Sequence, residues 1–163
     1  MKKLSTVMMM ALIGGMAFAS SLGIPWFVDN APDSQGANWP PTQGTRTYIY
    51  LHNNTTSDIV CSIAYYSAEG VFVGPNDDPG TPYDDTTFVI PALSTVAFAP
   101  VASLGATGGE SSVADAIPNR PLPDGKKNGA AAITWAGGPN DIQGMLATAN
   151  SQLSYAHLLP PGN

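Results

Sequence analysis

The sequence has little cysteine and little charge. Cys61 is the single cysteine among 163 residues, so no disulfide can form within one chain. Charged residues make up 11% of the chain, well below the roughly one quarter that is usual for soluble domains. Stability must therefore come from a hydrophobic core, from loops stiffened by the 15 prolines, or from assembly with other chains.

Positive charge is scarcer still. Six lysines and arginines stand against twelve acidic residues, and two of the six, Lys2 and Lys3, lie in the first three positions. Without residues 1–19 the remaining chain therefore carries a formal net charge of −8. Because nucleic-acid binding needs clusters of basic residues, this chain is not expected to bind nucleic acid. An anionic membrane surface is disfavoured for the same reason.

Long apolar runs are also missing after the N-terminus. The chain begins with Lys2 and Lys3, continues with an uncharged, mostly apolar stretch at 7–16, and then reads Ala17-Phe18-Ala19. This order is typical of a secretory signal peptide with a small-x-small cleavage site. The apolar stretch is too short to span a hydrocarbon core of roughly 30 Å. Residues 1–19 are therefore predicted to be a cleaved signal peptide of a secreted, periplasmic or cell-surface protein without an integral membrane span.

Residues 20–44 are predicted to form an extended N-terminal arm. Proline, asparagine and glycine are frequent in it, and Pro25 suits a strand start or a sheet edge. An apolar strand of this kind can complete the sheet of another chain, either a second copy or another envelope protein. The residues expected to make that contact are Ile24, Trp26, Phe27 and Val28.

Residues 45–163 are predicted to form one all-β domain. Short segments with alternating apolar residues are separated by turn-forming clusters, which is typical of a sandwich or a barrel. A loop is expected at about 103–129, and the first two strands are expected to pair as a hairpin. The predicted strands are 45–53, 58–66, 71–73, 86–91, 95–99, 130–136, 142–149 and 152–159.

Two stretches carry a resemblance. Residues 48–70, with an Asn-containing turn and a Tyr-Tyr strand end, and residues 88–100, with a strand that reaches a proline, are similar to exported bacterial immunoglobulin-like domains. Residues 141–161 resemble the closing hairpin of such domains. The resemblance implies an antiparallel immunoglobulin-like β-sandwich, with a jelly-roll-like sandwich as the alternative. It brings no catalytic motif.

An acidic loop at 74–85 is a candidate calcium site, because calcium binds carboxylate and carbonyl oxygens. The spacing of an EF-hand is absent, and a solvated acidic loop is the favoured interpretation. The candidate ligands are Asp77, Asp78, Asp84 and Asp85.

No catalytic or cofactor-binding residue is predicted. His52 and His157 lie in no metal-binding motif, and no serine sits in a nucleophile elbow. Cys61 shares the apolar face of its strand and is expected to be a buried small hydrophobe. Asn53 and Asn54 both match a glycosylation acceptor pattern, for which turn composition is the plainer explanation.

Aromatic side chains provide the candidate binding surface. Tyr48, Tyr50 and Tyr66 could share one sheet face and stack on sugar rings, whereas packing within the fold is the alternative. The sequence therefore predicts an exported, non-catalytic structural or assembly protein of the cell surface or periplasm. A carbohydrate- or ligand-binding β-sandwich module is the second hypothesis.

Overall fold

The computed structural model describes residues 19–28, 30–32, 39–75, 86–100 and 128–161. These residues form an all-β structure of two antiparallel sheets, consistent with a β-sandwich. The strands are β1 (Ala19–Val28), β2 (Thr45–Asn53), β3 (Ile59–Ser67), β4 (Phe72–Gly74), β5 (Thr87–Ile90), β6 (Thr95–Phe98), β7 (Asn128–Ala136), β8 (Ile142–Asn150) and β9 (Ser154–Leu159).

The first sheet has the order β1-β7-β3-β4, and β5 also pairs with β3. β4 lies opposite Tyr65 and Tyr66 at the end of β3, and β5 lies opposite Ile59 to Ser62 at its start. The two short strands therefore lie along the same edge of β3. The second sheet has the order β6-β2-β8-β9.

The core lies between the sheets because each strand turns its apolar face inward. In β3 the buried residues alternate with more exposed ones, as a period of two requires. Side chains of both sheets join in a single cluster of buried residues. Phe27 of β1 and Tyr65 of β3 meet edge to face in it, with ring centroids 6.4 Å apart.

The predicted hairpin between the strands at 45–53 and 58–66 is wrong. β2 belongs to the second sheet and β3 to the first, so residues 54–58 cross from one sheet to the other. Alternating apolar residues show that each strand buries one face, but they do not identify its neighbour. The predicted closing hairpin is confirmed, since β8 pairs with β9. Gly144 lies opposite Leu159 at one end of the pair, and Ala149 lies opposite Ser154 at the other.

The N-terminal arm is part of the sandwich rather than an extension from it. β1 pairs antiparallel with β7, and its side chains Leu22, Ile24 and Phe27 are fully buried. Gly144 on β8 makes room for this strand, because a Cβ there would collide with the Leu22 side chain. Pro25 lies in an edge strand, as its expected preference for a strand start or a sheet edge indicated.

The end of β1 is tied to the second sheet. The Asn30 amide donates to the Thr45 carbonyl at 3.0 Å, and the Thr45 amide donates to the Asn30 side chain at 2.6 Å. The Val28 amide donates to the Thr47 hydroxyl at 3.1 Å. These bonds close the base of the segment between the two strands and hold β1 in place.

Most of the predicted loop at 103–129 falls outside the described residues, and its last two positions belong to β7. Of the predicted signal peptide only Ala19 is described, as the first residue of β1. In the part of the chain that the structure describes, no helix has the length and apolar content to cross a membrane.

Candidate functional site

One end of the sandwich is organised around Asn53. This residue is fully buried at the end of β2, where the chain crosses between the sheets. Its amide nitrogen lies 2.8, 3.0 and 3.1 Å from the carbonyl oxygens of Ser57, Ile90 and Pro91. Its side-chain oxygen accepts from the amide and the hydroxyl of Thr55, both at 2.8 Å. Asn53 therefore joins two crossing connections, 54–58 and 91–94, and its buried amide cannot carry a glycan in the folded chain.

Asn54 adds the third crossing connection, 137–141. Its backbone amide donates to the Asp141 carbonyl at 2.8 Å, and its exposed side chain donates to the Asn140 carbonyl at 2.9 Å. Within that connection the Asp141 carboxylate accepts from the Gly138 amide at 2.7 Å. Connections 54–58, 91–94 and 137–141 thus meet at one end, where asparagine side chains satisfy the backbone groups of tight turns.

The predicted aromatic platform is not formed. Tyr48 and Tyr50 lie on the outer face of the second sheet. Tyr66 lies on β3 in the first sheet and packs against Phe72, with ring centroids 6.0 Å apart. The three tyrosines are divided between opposite sides of the sandwich, so they cannot bind one ligand together.

Tyr48 is also inaccessible. Trp39 covers it edge to face, with ring centroids 4.9 Å apart, and 4% of Tyr48 is exposed. Tyr50 stays half-buried and lines a shallow groove of about 200 Å³. His52, Met145 and Leu158, from three different strands, line the same groove. The sequence did not indicate Met145 or Leu158 because only the pairing of β2, β8 and β9 brings them beside Tyr50.

The two histidines contact a hydroxyl group and an aromatic ring among the described residues. His52 Nδ1 is 2.9 Å from the Thr95 hydroxyl, and His157 stacks on Tyr155 with centroids 6.4 Å apart. Across the described ranges, no group of three or more His, Cys, Asp and Glu residues could hold a metal ion. The candidate calcium ligands Asp77, Asp78, Asp84 and Asp85 lie outside those ranges.

Cys61 is a free, fully buried cysteine on the inner face of β3. Burial raises the pKa of its thiol from 9.0 to about 12, because the thiolate would lose its hydration. The position agrees with the expected role as a small core residue.

We expect the Cys61 thiol to be unreactive in the native protein. The thiolate is the reactive species, and at pH 8 both the raised pKa and the burial suppress it. A chromogenic disulfide reagent should therefore label Cys61 only as fast as the chain opens, with full labelling in urea. Rapid labelling of one thiol per native chain would contradict this.

The last strand, β9, is unusually exposed to solvent. Every residue from Ser154 to Leu158 is exposed, although the strand belongs to a sheet of the sandwich. Leu153, Tyr155 and Leu158 expose 72%, 58% and 63% of their surface. Tyr155 points toward the first sheet, because it pairs with Thr148 on the inner face of β8, yet it remains uncovered. β9 thus projects past the edge of the opposite sheet and shows apolar side chains on both faces.

The open edge of β9 also lacks the protection that the other edges have. Pro25 and an irregular register between Ile24 and Phe27 interrupt β1. The strands at the remaining edges are short: β4 has three residues, and β5 and β6 have four each. Such devices prevent one sheet edge from pairing with another. β9 has no proline, no fixed charge and no register shift, and among the described residues no strand pairs with its second edge.

The comparisons with known proteins give no lead to function. Models of protein families, curated proteins and solved structures contain no match to this chain.

Proposed function

We propose that this chain is an exported, non-catalytic structural protein of the cell surface or periplasm, and that it assembles through the open edge of β9. The observation that carries the proposal is the unprotected strand itself. Exposed apolar patches on soluble proteins mark interaction sites, and unpaired strand edges are templates for another strand. An exposed strand of this kind promotes aggregation unless a partner covers it.

The export part of the proposal rests on the N-terminal sequence, in which Lys2 and Lys3, an apolar stretch at 7–16 and Ala17-Phe18-Ala19 follow one another as in a secretory signal peptide. Cleavage after Ala19 would keep Ser20 in the mature chain, where its hydroxyl donates to the Gly137 carbonyl at 2.7 Å.

An immunoglobulin-like fold is likewise part of the proposal. Two strand pairs, β2 with β6 and β3 with β7, match the B–E and C–F pairs of immunoglobulin domains. The flanking strands differ, because β1 joins β7 and β8 joins β2. In immunoglobulin domains the first strand joins B and the last joins F. The support thus extends to the four strands of these two pairs.

The assembly is tested by the molecular mass of the exported, processed chain over a range of concentrations. Light scattering should give a mass above that of the monomer, and Leu158→Lys should return it to the monomer, because a lysine on an edge strand opposes pairing with another strand. Val60→Lys is the matched control, since Val60 is 60% exposed on the outer face of the first sheet. A monomer at every concentration would contradict the proposal.

The N-terminal arm provides a second route to self-assembly, by exchange of β1 between copies. The contacts would be the same in another copy, which is the usual condition for strand swapping. A disulfide between Ser21→Cys and Thr134→Cys tests it, because these residues lie opposite each other. A bridge within one chain means that β1 stays in its own sheet, and a bridge between chains means exchange.

A ligand-binding module is the second candidate function, and the groove beside Tyr50 favours it. The groove combines an aromatic ring, an imidazole and two apolar side chains, a lining that suits a sugar ring or another small amphipathic ligand. Binding in a glycan array that is lost in Tyr50→Ala and kept in Tyr66→Ala would support this function. Equal binding by both variants would remove the groove as the site.

A further inference from the structure

We propose that the partner of β9 is a second copy of this chain, paired antiparallel about a two-fold axis at Ala156. The inference rests on the proposed role of β9 as an assembly edge, and it adds the identity of the partner and the register. It follows from the direction of the backbone groups, from the side chains that the register would bring together, and from the distribution of charge.

The backbone groups of β9 alternate between its two edges. The Asn150 amide donates to the Leu153 carbonyl at 2.8 Å, so these two residues form a hydrogen-bonded pair at the turn. In an antiparallel ladder such pairs recur at every second position. Residues 155, 157 and 159 therefore direct their backbone groups to β8. Ser154, Ala156 and Leu158 direct theirs to the open edge.

These three open positions are self-complementary. In an antiparallel pair centred on Ala156, the Ala156 residues of the two copies lie opposite each other, and Ser154 lies opposite Leu158 of the second copy. All three positions then form hydrogen-bonded pairs at once. The small alanine on the axis allows the strands to approach, and no large side chain meets its own copy there.

The inner face of the same register brings aromatic rings together. Tyr155 would lie opposite His157 of the second copy, in the closely spaced type of pair in which side chains are nearest. Within one chain these two rings are already stacked, with planes 7° apart. The register would thus assemble four alternating rings from two exposed pairs, and cross-strand aromatic pairs stabilise sheets.

Charge favours this edge for contact between identical chains. Two copies of a chain with a net charge of −8 after processing repel each other over most of their surface. Residues 142–163 contain no Asp, Glu, Lys or Arg. The exposed patch is on the order of a few hundred Å², below the roughly 800 Å² per partner of a standard interface. We therefore expect a dimer that dissociates on dilution.

Cysteine cross-linking tests the register in the processed chain, with the buried Cys61 left in place as an unreactive residue. Hydrogen-bonded antiparallel residues have Cα atoms about 5.5 Å apart, within the range that a disulfide spans. Ala156→Cys alone should form a covalent dimer on mild oxidation. Ser154→Cys and Leu158→Cys should form one when the two variants are mixed and not when either is alone. The unmodified chain is the control and should stay uncross-linked.

Three results would overturn the inference in different ways. Cross-linking of Ser154→Cys or Leu158→Cys alone would show another register. No cross-link in any variant, with a mass above the monomer by light scattering, would leave assembly standing and exclude this pairing. A monomeric unmodified chain at every concentration would exclude both this pairing and the proposed function.

Discussion

Asn53→Ala is expected to lower the free energy of unfolding by about 3 kcal/mol. The side chain holds five hydrogen-bond contacts at a fully buried position. Its removal takes the side-chain amide donor from the buried Ile90 carbonyl and one of two donors from the Pro91 carbonyl, which still accepts from the Ser94 amide. An unsatisfied buried group costs about 1–3 kcal/mol. Domains of this size have a free energy of unfolding of roughly 5–15 kcal/mol, so a loss of this magnitude is a large fraction of it. Urea unfolding followed by tryptophan fluorescence measures it.

Asn54→Ala is the matched control for this prediction. Asn54 is the next residue, is exposed, and gives up one side-chain hydrogen bond, so we expect a loss below about 1 kcal/mol. Asn53→Asp keeps the shape but points a carboxylate at the same carbonyl oxygens, so it should be at least as destabilising as alanine. Equal midpoints for Asn53→Ala and Asn54→Ala would show that the crossing connections do not depend on Asn53.

The strands could be predicted from the sequence because alternation is a local signal. Most predicted strand bounds agree with the observed ones within about two residues, as for Thr45–Asn53. The sheet to which each strand belongs is not a local property. The chain leaves β2 at Asn53, and an asparagine at a strand end followed two residues later by Thr55 is the pattern of an Asx turn. That pattern predicts a turn, but not that the turn crosses between sheets.

The candidate surface was harder to predict for the same reason. Tyr48 and Tyr66 have the same alternation and differ only in the sheet they join and in what covers them. The exposure of Tyr155, on the inner face of β9, depends on where the opposite sheet ends. The uncharged C-terminal stretch at 142–163 was the available signal, since a strand edge without charge is unusual in an acidic chain.

β1 shows how a terminal segment becomes part of a core. Leu22, Ile24 and Phe27 contribute to the same buried cluster as strands from both sheets. The hydrogen bonds of Asn30 and Thr45 hold the strand at its C-terminal end. The sandwich is therefore incomplete without residues 20–28, and deletion of the predicted arm would open the core between the sheets rather than release a spare tail.

Phe27→Ala is expected to lower the free energy of unfolding by about 3–5 kcal/mol, the range for removal of a buried phenylalanine. The ring is fully buried and packs against Tyr65, and a Cβ added to Gly129 would meet it at 3.1 Å, so the site has little room to collapse. Trp26→Ala, one residue away and 46% exposed, is the control and should cost about 1 kcal/mol or less. Circular dichroism during urea unfolding measures both.

A chain without residues 20–28 should not fold alone, because three fully buried side chains and the pairing with β7 are lost together. A synthetic peptide of residues 20–30 added to it should restore the sheet signal, since the contacts of β1 do not require a covalent link. The same peptide with Phe27→Ala should bind more weakly, and the Trp26→Ala peptide should bind nearly as well as the unmodified one. Folding of the shortened chain without any peptide would mean that β1 is dispensable and that the arm is free to serve a partner.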